Sequence, residues 1–181
     1  MGLFDFFKKE KKEDDMESRG DLTLADMKKG DMVDYDMKNW EVKAYNCYDW
    51  GDGNLSYEWQ LSSFDEVLYL ELEDDDEAYW SLNRKIAFSR LGPKVRQHIL
   101  ETEDAPDEIV YEGTVYYLEE TSGGYFMKSC QGEGAEVLTW DYEDDDGNAF
   151  LSIEQWGERE FEASVGFPVQ EYQFDNILPR N

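Results

Sequence analysis

Apolar and polar residues alternate one for one through long stretches of this chain, and that period of two admits strands and excludes helices. In VLYLELE, Leu68, Leu70 and Leu72 fall on one face, and Tyr69, Glu71 and Glu73 on the other. SYEWQL repeats the pattern with Tyr57, Trp59 and Leu61. In GDMVDYDMKNWEV, Val33 and Tyr35 alternate with acids, Asp36–Asn39 supply turn chemistry, and Trp40 and Val42 follow, which predicts a hairpin. IVYEGTVYYLEE reads as a second hairpin about Glu112 and Gly113, while the Asp, Gly and Asn residues of NCYDWGDGN predict a loop. SGGYFMKSC, EVLTWDY, AFLSIEQW and REFEASV continue the strand grammar.

Two acidic runs, Glu73–Asp76 and Glu143–Asp146, share the letters EDDD and invite a reading as one duplicated site. An offset of 81 residues fits the flanking strands better than the offset of 70 that superposes those letters. At 81, Trp59 meets Trp140, Leu70 meets Leu151, Leu72 meets Ile153 and Trp80 meets Phe161, so each large apolar residue keeps its face. The two runs then belong to different turns. The expected fold is mainly β: two tandem small antiparallel β-barrel or sandwich units with a short connecting helix. Residues 1–26 form an arm and linker, 27–90 the first unit, 91–106 the helical linker with PKVRQHIL at its centre, and 107–181 the second unit. Trp59, Trp80, Trp140 and Trp156 are expected in the cores, with Tyr172, Phe174, Ile177 and Leu178 pinning the tail.

Charge narrows the function. A formal net charge of −27 repels phosphate backbones and anionic lipid, so direct nucleic-acid binding by the body is not expected. A solvated acidic surface, a basic partner and multivalent cations are the readings that fit. A metal site is not expected, because neighbouring Asp side chains on extended chain point to opposite faces and neither run can converge on an ion alone. No cofactor fingerprint, nucleophile elbow, C-x-x-C or H-E-x-x-H is present, and His98 is the single histidine. No catalytic residue can be picked from 44 acids, and a non-enzyme is expected. An enzyme with a carboxylate site would need a deep pocket holding acids of raised pKa. Cys47 and Cys130 are too few for a disulfide framework and are expected as thiols in a reducing cytoplasm. No apolar run reaches the roughly 20 residues that span a bilayer.

The N-terminus is different in kind. Leu3, Phe4, Phe6 and Phe7 sit at helical spacing ahead of Lys8 and Lys9, the composition of a short helix that docks on a membrane or a protein partner. The function expected from the residues is therefore a non-enzymatic interaction module, cytoplasmic, with peripheral membrane contact through this arm. The alternative is an acidic nucleic-acid mimic that blocks a basic protein.

GDMVDYDMKNWEV, YDWGDGNLSYEWQL, LYLELEDDD, VYEGTVYYLEE, LSIEQWGEREFEASVG and YQFDNILP together resemble the domain-of-unknown-function family DUF4178, over about residues 27–179 and as tandem copies. The resemblance implies a β-rich module encoded near membrane-stress proteins of the phage-shock type and near polyamine aminopropyltransferases. It implies an accessory or scaffold role and assigns no catalytic residue.

Overall fold

A computed structural model describes residues 22–74 and 77–180. Eleven strands form one continuous antiparallel sheet. The first five are β1 (Met32–Tyr35), β2 (Lys38–Asp49), β3 (Leu55–Ser62), β4 (Val67–Asp74) and β5 (Ala78–Ile86). Helix α1 (Pro93–Thr102) follows, then β6 (Glu108–Tyr111), β7 (Thr114–Lys128), β8 (Ala135–Glu143), β9 (Phe150–Gly157), β10 (Glu160–Val169) and β11 (Phe174–Leu178). The order across the sheet is β11-β1-β2-β3-β4-β5-β10-β9-β8-β7-β6, with β2 also paired to β7.

That last pairing closes a ring of eight strands from β2 round to β7. The expected pair of separate barrels is therefore corrected to a single sheet shared by both halves, joined along two seams. At one, β5 and β10 pair over seven positions, from Ile86–Ala163 to Trp80–Val169. At the other, β2 and β7 pair over four, from Asn46–Lys128 to Asp49–Tyr125. The second seam also corrects the loop expected at NCYDWGDGN: Asn46–Asp49 extends β2 and is held by β3 on one side and β7 on the other. Two neighbouring strands satisfy the backbone there, and this outweighs the turn preference of Asn and Asp.

The apolar face divides into two clusters, one per half. Trp59, Leu61, Leu70, Leu72 and Leu82 build the first, closed by Leu24 and Met27 ahead of β1 and by Phe174 of β11. Trp140, Tyr142, Leu151 and Ile153 build the second, covered by Val95 and Ile99 of α1. The connecting helix is thus a structural cover, longer at its C-terminus than PKVRQHIL. Pro93 opens it in the first turn, where a missing N–H costs nothing. Two of the buried indoles are satisfied in parallel ways: Trp59 Nε1 donates to the Met27 carbonyl at 2.9 Å, and Trp140 Nε1 to Asp104 Oδ1 at 2.9 Å. Of the expected core residues, Trp59, Trp80, Trp140 and Phe174 are buried. Trp156 is only half-buried, and Tyr172 and Leu178 face solvent.

Glycine lets the halves approach. A Cβ on Gly166 of β10 would meet the Leu82 carbonyl of β5 at 2.7 Å. A Cβ on Gly124 of β7 would meet the Asp49 carbonyl at 2.5 Å and the Trp50 ring at 2.7 Å, at the shorter seam. Its neighbour Gly123 has open space where a Cβ would stand. Gly124→Ala is expected to destabilise the protein by about 1–3 kcal/mol through overpacking, and Gly123→Ala by less than about 0.5 kcal/mol. Urea unfolding of the two variants checks the contrast; equal effects would mean that the seam is not tightly packed.

Candidate functional site

Each ring strand that turns leucine and tryptophan towards a hydrophobic cluster turns its alternate residues the other way, into the lumen. These are carboxylates to an unusual degree: Glu58 on β3, Glu71 and Glu73 on β4, Asp141 and Glu143 on β8, and Glu154 on β9. Their Cα register makes Glu58 the direct neighbour of Glu71. It also sets Asp141 opposite Ser152 and Glu154 opposite Thr139. A cavity of about 210 Å³ occupies the lumen and is lined by all eight ring strands. Eight strands enclose just such a space, large enough for side chains or one small ligand.

The two EDDD runs acquire a meaning here. Glu73 and Asp74 end β4, whereas Glu143 ends β8, so the described parts of the two runs belong to different strands, as the offset of 81 residues requires. Antiparallel closure nevertheless brings the β4–β5 and β8–β9 hairpins to the same end of the ring, where Glu73 and Glu143, the first residue of each run, line one cavity. Tyr79 and Phe150, with ring centroids 6.2 Å apart, bridge the same two hairpins. The runs are not copies of one site, yet one residue from each converges on a common space.

Deeper in the lumen the carboxylates are held by specific donors. Asn46 Nδ2 donates to Glu58 Oε1 at 2.9 Å. Tyr48 O–H donates to Glu154 Oε1 at 2.9 Å and reaches Glu58 Oε2 at 3.5 Å. Ser152 Oγ donates to Asp141 Oδ1 at 2.5 Å. Lys85 pairs with Glu162 and lies 5.1 Å from the Tyr69 ring, and its charge reaches Glu58 and Glu154. Glu71 sits between these groups, with Glu58, Glu154, Asp141 and Glu73 all in its field.

The electrostatic result is uniform. Burial pushes Glu71 well above the usual carboxylate range, with Glu58 the strongest of the like charges that add to it. Burial raises Glu58 against the opposing Asn46 hydrogen bond, and raises Asp141 against that of Ser152. Glu73 rises through burial and through Asp141. Burial lifts Glu154 from 4.5 to about 6, with the Tyr48 hydrogen bond and Lys85 opposing. A charge taken out of water is costly, and the hydrogen bonds from Asn46, Tyr48 and Ser152 offset part of that cost. Among the described residues no three His, Cys, Asp or Glu side chains are grouped to hold a metal ion.

Leu3, Phe4, Phe6, Phe7, Lys8 and Lys9 lie outside the described residues. His98 is exposed on α1, away from the lumen. Among the described residues no helix is long and apolar enough to cross a membrane. The expected free thiols are corrected: Cys47 and Cys130 form a disulfide, their Cα atoms 4.9 Å apart. Sequence reading placed Glu71 and Glu73 opposite the leucines but gave that face no role. The signal it lacked was that Glu58, Asp141 and Glu154 also lie on strand faces opposite buried aromatic and aliphatic residues, in both halves of the chain.

Raised carboxylates reverse the usual acid sensitivity. The folded chain holds Glu154's proton more tightly than the unfolded chain, so the stabilisation is complete below about pH 4.5 and is lost as pH rises through about 6. For Glu154 the loss is about 2 kcal/mol. Glu154→Gln is expected to flatten the fall in stability across that window, and the same change at exposed Glu171 to leave it unchanged. Unfolding midpoints measured from pH 4 to pH 8 check this; parallel curves for wild type and Glu154→Gln would contradict the buried placement.

Two comparisons with known proteins bear on identity. A family model described as "Domain of unknown function (DUF4178)" matches residues 28–171 in one stretch that spans both halves of the ring. An "Uncharacterized protein" of Aquifex aeolicus (strain VF5) is 30% identical over 175 residues, covering 97% of this chain and 94% of its own length. No solved structure matches the chain. The match across most of the sequence shows that the chain belongs to the DUF4178 family.

Proposed function

We propose that the protein is a non-enzymatic binding module whose lumen takes a small aliphatic ammonium compound. The observation that carries this reading is the enclosure of Glu71, Asp141 and Glu154 by eight strands, with Glu58 beside Glu71 and Lys85 already paired to Glu162. An entering ammonium group supplies the positive charge that offsets the mutual repulsion of these carboxylates. Tyr48, Tyr79 and Phe150 add aromatic faces that favour alkylammonium over a hard metal ion. The presence of two halves in one ring is read as an internal duplication, an origin supported by the strand matches at an offset of 81 residues.

The test uses 1,4-diaminobutane, with 1,4-butanediol as its neutral isostere. Calorimetry at pH 8 is expected to show binding of the amine and none of the diol. Amine affinity should fall at least tenfold at pH 5.5, because protons compete for the same carboxylates while the amine stays charged. Glu71→Gln should weaken binding at least tenfold at pH 8. Absence of amine binding at pH 8 would overturn the reading.

A second reading has its own observation. An enclosed pocket holding several acids of raised pKa, one of them hydrogen-bonded to a tyrosine, is also the setting for acid–base chemistry. It would show as turnover of a bound amine or alcohol with a bell-shaped pH dependence, which a binding module lacks.

The arm at residues 3–12 is the element we assign to docking on a membrane-associated partner in the cytoplasm. What supports it is the spacing of Leu3, Phe4, Phe6 and Phe7 ahead of four lysines. Removing residues 1–20 is expected to leave amine binding and unfolding unchanged while abolishing sedimentation with vesicles of one-third phosphatidylglycerol. Equal sedimentation of both chains would assign membrane contact to the β body instead.

A further inference from the structure

The disulfide lies at the weaker of the two seams. Four residue pairs join β2 to β7, against seven between β5 and β10. Cys47 is one of the four β2 residues in that pairing, and Cys130 follows the end of β7 by two residues. The bond spans 83 residues of sequence and ties the first half of the ring to the second. Ser129 and Cys130 both adopt positive φ, 55° and 52°, a conformation that non-glycine residues seldom hold without tertiary support.

Both neighbours of Cys47 reach into the lumen. Asn46 donates to Glu58, and its Oδ1 accepts from the backbone N–H of Ser129 at 3.3 Å. Tyr48 donates to Glu154, and its ring packs 5.0 Å from Phe126 of β7. The groups that hold Glu58 and Glu154 are therefore anchored on the disulfide-tied seam, from both sides of the bond.

We propose that the Cys47–Cys130 disulfide is a redox latch: its reduction opens the β2–β7 seam and releases Asn46 and Tyr48 from the lumen carboxylates. That this alters cation binding rests on the lumen reading above; the opening of the seam does not. The co-reactant is a dithiol. Its thiolate attacks Cys130 Sγ, the more accessible sulfur, since Cys47 is only 2% exposed. The protein S–S bond breaks, Cys47 leaves as a thiolate and takes a proton, and a mixed disulfide forms on Cys130. The second thiol of the reductant then displaces Cys130, which also takes a proton, and the reductant becomes a cyclic disulfide. Two electrons and two protons pass to the protein, and a disulfide oxidant reverses the step.

Hydrogen exchange on the full chain, with and without dithiothreitol, tests the latch. Reduction is expected to speed exchange at Asn46–Asp49 and Tyr125–Lys128 at least tenfold while leaving Ala163–Val169 unchanged. No change at the β2–β7 seam overturns the proposal, and so does equal acceleration at both seams, which would mean global unfolding. The double variant Cys47→Ser/Cys130→Ser should show the reduced pattern and ignore dithiothreitol; if it fails to fold, reduced wild type decides the matter alone. Affinity for 1,4-diaminobutane should fall at least fivefold on reduction. Seam opening with unchanged affinity would overturn control of the lumen, whereas failure of the amine to bind either form would overturn the lumen reading and leave the exchange result to judge the latch.

Discussion

Backbone pairing between β2 and β7 is the interaction on which the molecule's character depends. Without it, the halves would be two curled sheets hinged along β5 and β10, each with a hydrophobic cluster on one face and acids on the other. Acids on an open sheet face are hydrated and unremarkable. Four residue pairs turn that face inward, and Glu58, Glu71 and Glu154 are drawn away from bulk water among like charges, which raises their pKa. Gly124 permits the backbone approach, because any side chain there would collide with the Asp49 carbonyl. Sterics at one glycine and electrostatics at several glutamates are thus parts of a single constraint.

Stability and binding pull against each other in such a ring. The two hydrophobic clusters supply the favourable term, through side chains as large as Trp59 and Trp140 that are almost wholly removed from water. The lumen opposes them at neutral pH, since Glu71 and its neighbours would be better served by solvent. A fold selected for stability alone would place apolar residues at these inward positions, as small closed barrels generally do. Tolerating an internal charge that the β pairing does not require is the pattern expected where the interior has a use.

The strand grammar was legible because it rests on local alternation. Leu70 and Leu72 on β4, and Trp59 and Leu61 on β3, lie on the face that the sequence predicted, and the hairpins at Asp36 and Glu112 form with left-handed residues at their turns. The short helix was legible from Pro93, Val95 and Ile99. What could not be read was how the halves join. A seam between strands 80 residues apart leaves no periodic trace, and at Asn46–Asp49 the turn-favouring residues point the other way. The lumen was hidden for the same reason: Glu58, Glu71 and Glu154 look like ordinary exposed acids until the distant pairing encloses them. The disulfide was hidden too, since two cysteines in an acidic chain say nothing of their distance in space.

The acidity of the chain then divides into two kinds. Most of the net charge of −27 is surface charge, screened by salt over about 8 Å at physiological ionic strength and open to any basic partner. The carboxylates that face the lumen are few and set among tyrosine, serine and asparagine donors. A nucleic-acid mimic needs the first kind, ordered along an exposed face. An acidic surface with no lumen would favour the decoy reading; a ring that turns acids inward and fixes them with Asn46, Tyr48 and Ser152 favours a small cation held inside.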